Sequence, residues 1–150
     1  MRANVKERSV FWWRWLVVVT VGVALFGISM VLSPNRIRQL FSLVMFSSPE
    51  HISDFGEPAV AYISLTHAVM GAVMFGWAIA LLFILFGPFR RDSHEAWLTL
   101  TVSLLAWFVP DTVYSLWSGF WQNAVLNSVF VVLFAIPLAA TYGAYRGKRA

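Results

Sequence analysis

Three polar side chains stand where such groups are costly. His67, Asp111 and Asn127 each fall well inside a long apolar run. An imidazole and a carboxyl group in reach of one another can pass a proton or share a hydrogen bond. A carboxamide can only share hydrogen bonds. Spacing gives the three a common level. Asp111 lies eight residues before Gly119 and Asn127 eight after it, so at a helical rise both stand about 12 Å from that turn. His67 is eight residues into its own run, which enters from the same side.

Facing follows from the same spacing. Ser64, His67, Gly71, Met74 and Ala78 recur at three and four residues and form one helical stripe, mostly of small residues. Small residues mark helix–helix contact in membranes, so this stripe is expected to face inward. Asn123 and Asn127 share a face continued by Phe130 and Phe134, and Ser103, Trp107, Asp111 and Tyr114 share another. A charged side chain turned to lipid costs about 2.5–3.5 kcal/mol on insertion scales, and turning inward avoids that.

The elements that must hold these residues are transmembrane helices. Hydrophobic residues make up 59% of the 150 residues and charged ones 12%, against about 25% charged in soluble domains. Only a bilayer accommodates that much outward apolar surface. The runs are Phe11 to Leu32, Ala59 to Phe86, His94 to Trp117 and Phe120 to Tyr145. The third reaches Pro110 too soon to span, so it is expected to pass through the proline as a kink. Ser118-Gly119 makes the turn to the fourth. The first run is too long for a secretory leader, lacks an Ala-x-Ala site and is read as a retained span.

Between the first two spans, Ser33-Pro34 reads as an N-cap and first helical position. Residues 35 to 46 form a short amphipathic helix in the interface, with Ile37, Leu40, Phe41 and Val44 on one face and Arg36, Arg38 and Gln39 on the other. Ser47 to Pro58 reads as a polar loop, and Asp92 with Glu95 as a capping box for the third span. The fold class is thus an all-α membrane protein: one domain, a four-transmembrane-helix bundle with a short interfacial amphipathic helix after the first span.

Nine of the eleven basic residues lie at the two termini and in the Arg90-Arg91 loop, leaving Arg36 and Arg38 on the other side. The positive-inside bias then puts both termini in the cytoplasm. The net charge of +4 is a topology signal in this chain and does not point to nucleic acid. With no cysteine, disulfides, thiolate nucleophiles, thiolate zinc sites and iron–sulfur ligation are excluded. Haem held by two histidines needs a second intramembrane histidine beside His67, so no cofactor is expected. His51, Asp54 and Glu57 have metal-like spacing, but Gly56 and Pro58 oppose a helix there, so no metal is expected either. The tryptophans cluster at run ends as interfacial belts, with Trp77 and Trp107 deeper.

Residues 107 to 142, WFVPDTVYSLWSGFWQNAVLNSVFVVLFAIPLAATY, resemble the second hairpin of small bacterial four-helix membrane proteins of the BphX-like kind. The resemblance covers the last three helices, His67 included. It implies a protein of the bacterial cytoplasmic membrane and implies no reaction and no site residues.

Three uses of the polar residues follow. The first is a non-enzymatic pocket, open to the outer side, for a small apolar or amphiphilic molecule or a lipid. Asp111, His67, Asn123 and Asn127 would anchor the ligand, and Tyr62, Tyr114, Trp107 and Phe130 would form the walls. The second is an embedded isomerase-type enzyme with His67 and Asp111 as the proton-transfer pair. The third is an accessory subunit whose polar residues only join helices. An ion path is disfavoured because no ionisable residue lies in the inner half. Membrane lipids are the expected partners, with self-association or a larger membrane complex open.

Overall fold

The computed structural model describes residues 2–146, with side chains over residues 10–143 and at 145. The basic Lys148 and Arg149 lie outside the described residues. Five α-helices follow in order: α1 Arg2–Leu32, α2 Pro34–Phe46, α3 Glu57–Phe86, α4 His94–Trp117 and α5 Trp121–Arg146. Short 3-10 turns occupy His51–Phe55 and Phe89–Arg91. No strand occurs among the described residues. Four segments are long and apolar enough to cross a membrane: Val10–Leu32, Glu57–Arg91, His94–Trp117 and Trp121–Gly143. The expected all-α membrane architecture is therefore present, and α4 passes unbroken through Pro110.

The helices pack as two compact units. One comprises Met1–Val21 with Ala80–Ala150, the other Gly22–Ile79.

In the first unit, α4 and α5 form a hairpin. Its turn is closed by two backbone bonds, Phe120 N–H to the Ser115 carbonyl and Gly119 N–H to that of Leu116. Gly119 takes φ +85°, a left-handed geometry that glycine adopts without Cβ strain. Indole donors add cross-helix ties. Pro137 lacks the N–H that would bond the Leu133 carbonyl four residues back. Trp15 Nε1 donates to that carbonyl at 2.9 Å. Trp13 Nε1 donates to the carbonyl of Leu85, in the last turn of α3 where carbonyls lack helical partners, also at 2.9 Å. Trp97 Nε1 reaches the Leu138 carbonyl at 2.9 Å. These three tryptophans, expected only as belts, also serve as hydrogen-bond donors between helices. Arg90 sits over the Trp13 ring at 4.6 Å. Tyr145 Oη donates to the Phe89 carbonyl at 2.8 Å, fastening the end of α5 to the 3-10 turn.

The second unit is set by glycine. A Cβ on Gly71 would stand 2.5 Å from the Gly27 carbonyl oxygen and from the Met30 Cβ; one on Gly27 would stand 2.8 Å from the Gly71 carbonyl oxygen. The backbones of α1 and α3 thus cross in contact, as small residues permit in membrane helices. The α3 stripe is as expected: His67, Gly71 and Ala78 are buried, Ser64 and Met74 half-buried.

Four local expectations need correction. The segment from Ser47 to Pro58 is not plain loop. It holds the His51–Phe55 turn, and α3 starts at Glu57 with Pro58 in its first turn, where a missing N–H costs nothing. Ser33 precedes α2, but its side chain makes no capping bond. The cap of α4 is Ser93, whose hydroxyl accepts from the Ala96 N–H, while Asp92 takes the left-handed position that ends the preceding turn. On α2, Leu40 is exposed and the inward face carries Ile37, Phe41 and Ser42 with Arg38 half-buried at its edge. The reason is local. The buried Ser42 hydroxyl donates to the Ser48 carbonyl at 2.6 Å and accepts from the Ile52 N–H at 3.2 Å, which turns α2 on its axis toward the His51–Phe55 turn.

Candidate functional site

Each unit holds a polar cluster built around one of the expected residues, and the two are built differently. In the first unit, Asp111 and Ser115 lie one turn apart on α4, and Asn123 faces them from the first turn of α5. The Asn123 Nδ2 donates to Asp111 Oδ1 at 3.0 Å and to Ser115 Oγ at 2.7 Å. Ser115 Oγ donates to the Asp111 carbonyl at 2.7 Å and lies 3.2 Å from Asp111 Oδ1. One turn along α5, the buried Asn127 reaches Thr112 Oγ1 at 3.5 Å, near the limit of a useful bond. Asp111, Asn123 and Asn127 thus lie along one helix–helix seam, with partners drawn from that seam.

Ser115 was not singled out from the sequence. The inward stripe of α4 runs Ala96, Leu100, Leu104, Trp107, Asp111, Ser115, so its last member is Ser115 and not Tyr114. Tyr114 is 64% exposed. On α3, Tyr62 is 71% exposed. Neither tyrosine lines an interior wall in its unit. Trp107 and Phe130 are half-buried, as wall residues would be.

In the second unit, α2 lies against the start of α3 through two contacts. Arg38 Nη1 donates to Ser64 Oγ at 3.4 Å. The Phe41 ring stacks on the His67 imidazole with centroids 4.6 Å apart and planes at 20°. Arg38 and Phe41 are three residues apart on α2, as are Ser64 and His67 on α3, so both contacts belong to one shared face. His67 is only 9% exposed, and its Nδ1 is buried with no hydrogen-bond partner. The Nε of Arg38 is likewise buried without a partner. Sequence reading set Arg38 on the outward polar face of α2. The only hint of its role was the three-residue spacing to Phe41.

Among the described residues, no three His, Cys, Asp or Glu side chains are grouped as metal ligands. The fold and these clusters define the class: a multi-pass, all-α membrane protein with polar side chains between its helices. Compared with family models, curated proteins and solved structures, the chain finds no match in any of the three.

Proposed function

We propose that this chain is a non-enzymatic membrane protein that holds an amphiphilic molecule, a lipid or a small apolar ligand, with His67 as the polar anchor. One observation carries this reading: the imidazole is buried in a spanning helix, stacked on Phe41, with Nδ1 unpartnered. An unsatisfied buried polar group costs about 1–3 kcal/mol, and a ligand group placed there removes that cost. The Asp111 cluster supports a division of labour. Its groups bond one another, so its part is to hold α4 on α5. By the positive-inside bias both termini are cytoplasmic, and the Arg36–Arg38 side of the membrane, where α3 enters, is the outer one. The likeness of residues 107 to 142 to BphX-like proteins supports the bacterial cytoplasmic membrane as the location.

The test is native mass spectrometry of the full chain released from mild detergent. The wild type should retain a small molecule or lipid that His67→Leu loses. Wild-type protein free of any adduct, from detergent and from nanodiscs alike, would overturn the proposal.

A further inference from the structure

We infer that the Arg38–Ser64–His67 face binds a phosphate-type oxyanion, supplied by the headgroup of an acidic phospholipid or by free phosphate. This deepens the amphiphile reading and rests on it. A guanidinium offers five N–H donors in a planar fork and no acceptor. Here Nη1 meets only neutral oxygens, Ser64 Oγ at 3.4 Å and Asn35 Oδ1 at 3.3 Å, both long. Nε is buried with no partner, and no carboxylate among the described residues pairs with Arg38. A half-buried cation in a membrane protein without a counter-charge is an unfinished interaction.

The second, independent observation is His67. It is more than nine-tenths buried, with Nδ1 unpartnered, and it lies on the same face of α3 as Ser64, three residues on. Phe41 stacks over its ring and fixes the ring's orientation. A guanidinium, a hydroxyl and an imidazole that can carry its proton on Nδ1 together form a donor set that matches an oxyanion, and Arg in particular matches the two-oxygen edge of a phosphate. A cationic ligand would be repelled by Arg38, and a neutral headgroup would leave its charge uncompensated.

The experiment uses the full chain in neutral detergent and reads the shift in unfolding temperature on titration. The probes are short-chain phosphatidylglycerol, a short-chain diacylglycerol that carries no phosphate, and inorganic phosphate. Phosphatidylglycerol should stabilise the wild type and the phosphate-free diacylglycerol should not. Arg38→Gln should weaken the phosphatidylglycerol response on the order of tenfold, the loss of one charged hydrogen-bond set. Arg38→Lys keeps the charge without the fork and should weaken it several-fold, which serves where the glutamine variant does not fold. Stabilisation by phosphate alone, with nothing added by the lipid, supports the oxyanion site and identifies a free anion as its occupant. Unchanged affinity in both Arg38 variants overturns the inference. So does equal stabilisation by the two lipids; if His67→Leu abolishes it, the anion assignment fails and the amphiphile reading stands. A wild type that answers to no probe overturns the inference, while the amphiphile reading stands or falls on the mass-spectrometric test.

Discussion

The Asp111 cluster and the His67 cluster are each a small set of polar side chains between two helices, and they differ in closure. Asp111, Ser115 and Asn123 offer two carboxyl oxygens, a hydroxyl and a carboxamide, and donors meet acceptors within the group. Arg38, Ser64 and His67 offer donors in excess, with two buried nitrogens left over. Depth in the membrane and helical facing do not separate these cases; counting donors against acceptors does. A closed set holds helices together, whereas a set with surplus donors is complementary to something the chain does not itself supply.

The largest expected effect is on the frame that holds the open cluster. Gly71 lies one turn after His67, where the backbone of α1 leaves no room for a side chain. Gly71→Leu should cost about 3 kcal/mol, the scale of overpacking in a tight contact, and should abolish ligand retention with it. Chemical unfolding in detergent measures the first and native mass spectrometry the second. A leucine variant of wild-type stability would mean that the crossing is not as tight as its geometry states.

Next comes the closed cluster. Asp111→Ala removes an acceptor of the Asn123 carboxamide and leaves Ser115 Oγ as its remaining partner. The expected loss is about 1–2 kcal/mol of unfolding free energy, with no change in phosphatidylglycerol affinity. A loss of affinity without a loss of stability would reverse the roles assigned to the two clusters.

How far the sequence foretold these features depends on their range. Helix-length apolar runs and three-four spacing are local, so the spans, the passage of α4 through Pro110 and the Ser64–Ala78 stripe could be read directly. The facing of Asn123 and Asn127 could be read for the same reason. Arg38 beside His67 could not. Its placement follows from the axial turn of α2, which the Ser42 hydroxyl sets through contacts with Ser48 and Ile52. The indole bonds were hidden likewise. Trp15 answers a carbonyl freed by a proline 122 positions away, and nothing in either segment alone announces the match. The Asp92-to-Ser93 shift of the α4 cap reflects a choice between two adjacent competent residues, decided by which one ends the preceding 3-10 turn.

Tyr145 extends the closed type of interaction to the end of α5, beyond the Trp121–Gly143 span. Its hydroxyl is buried and bonded to the Phe89 carbonyl. Burial, reinforced by the nearby Asp92 charge, pushes its pKa well above the ordinary phenol value. A pKa raised on folding stabilises the native state fully below the unfolded value, near pH 10, and that contribution is lost as pH rises beyond it. The wild type should therefore lose stability above about pH 10. Tyr145→Phe should cost about 1 kcal/mol at neutral pH, the worth of one hydrogen bond, and flatten the alkaline decline. An equal alkaline decline in the phenylalanine variant would assign it to other groups.

The smallest expected change in stability is the most discriminating. His67→Leu replaces a buried imidazole having one unpartnered nitrogen with a side chain that needs no partner. In the ligand-free protein, the loss of stacking on Phe41 opposes the relief of an unsatisfied polar atom, and the two are of similar size, about 1 kcal/mol each. The net should fall within about 0.5 kcal/mol of the wild type, the range of a substitution that breaks no internal bond. With phosphatidylglycerol present, the wild type should gain stability and the leucine variant should not. A structural histidine would give the opposite pattern: a clear loss without ligand and an unchanged response to it. A ligand-binding residue can be dispensable for folding because its partner is not part of the fold. His67 should behave in that way, and Asp111 should not.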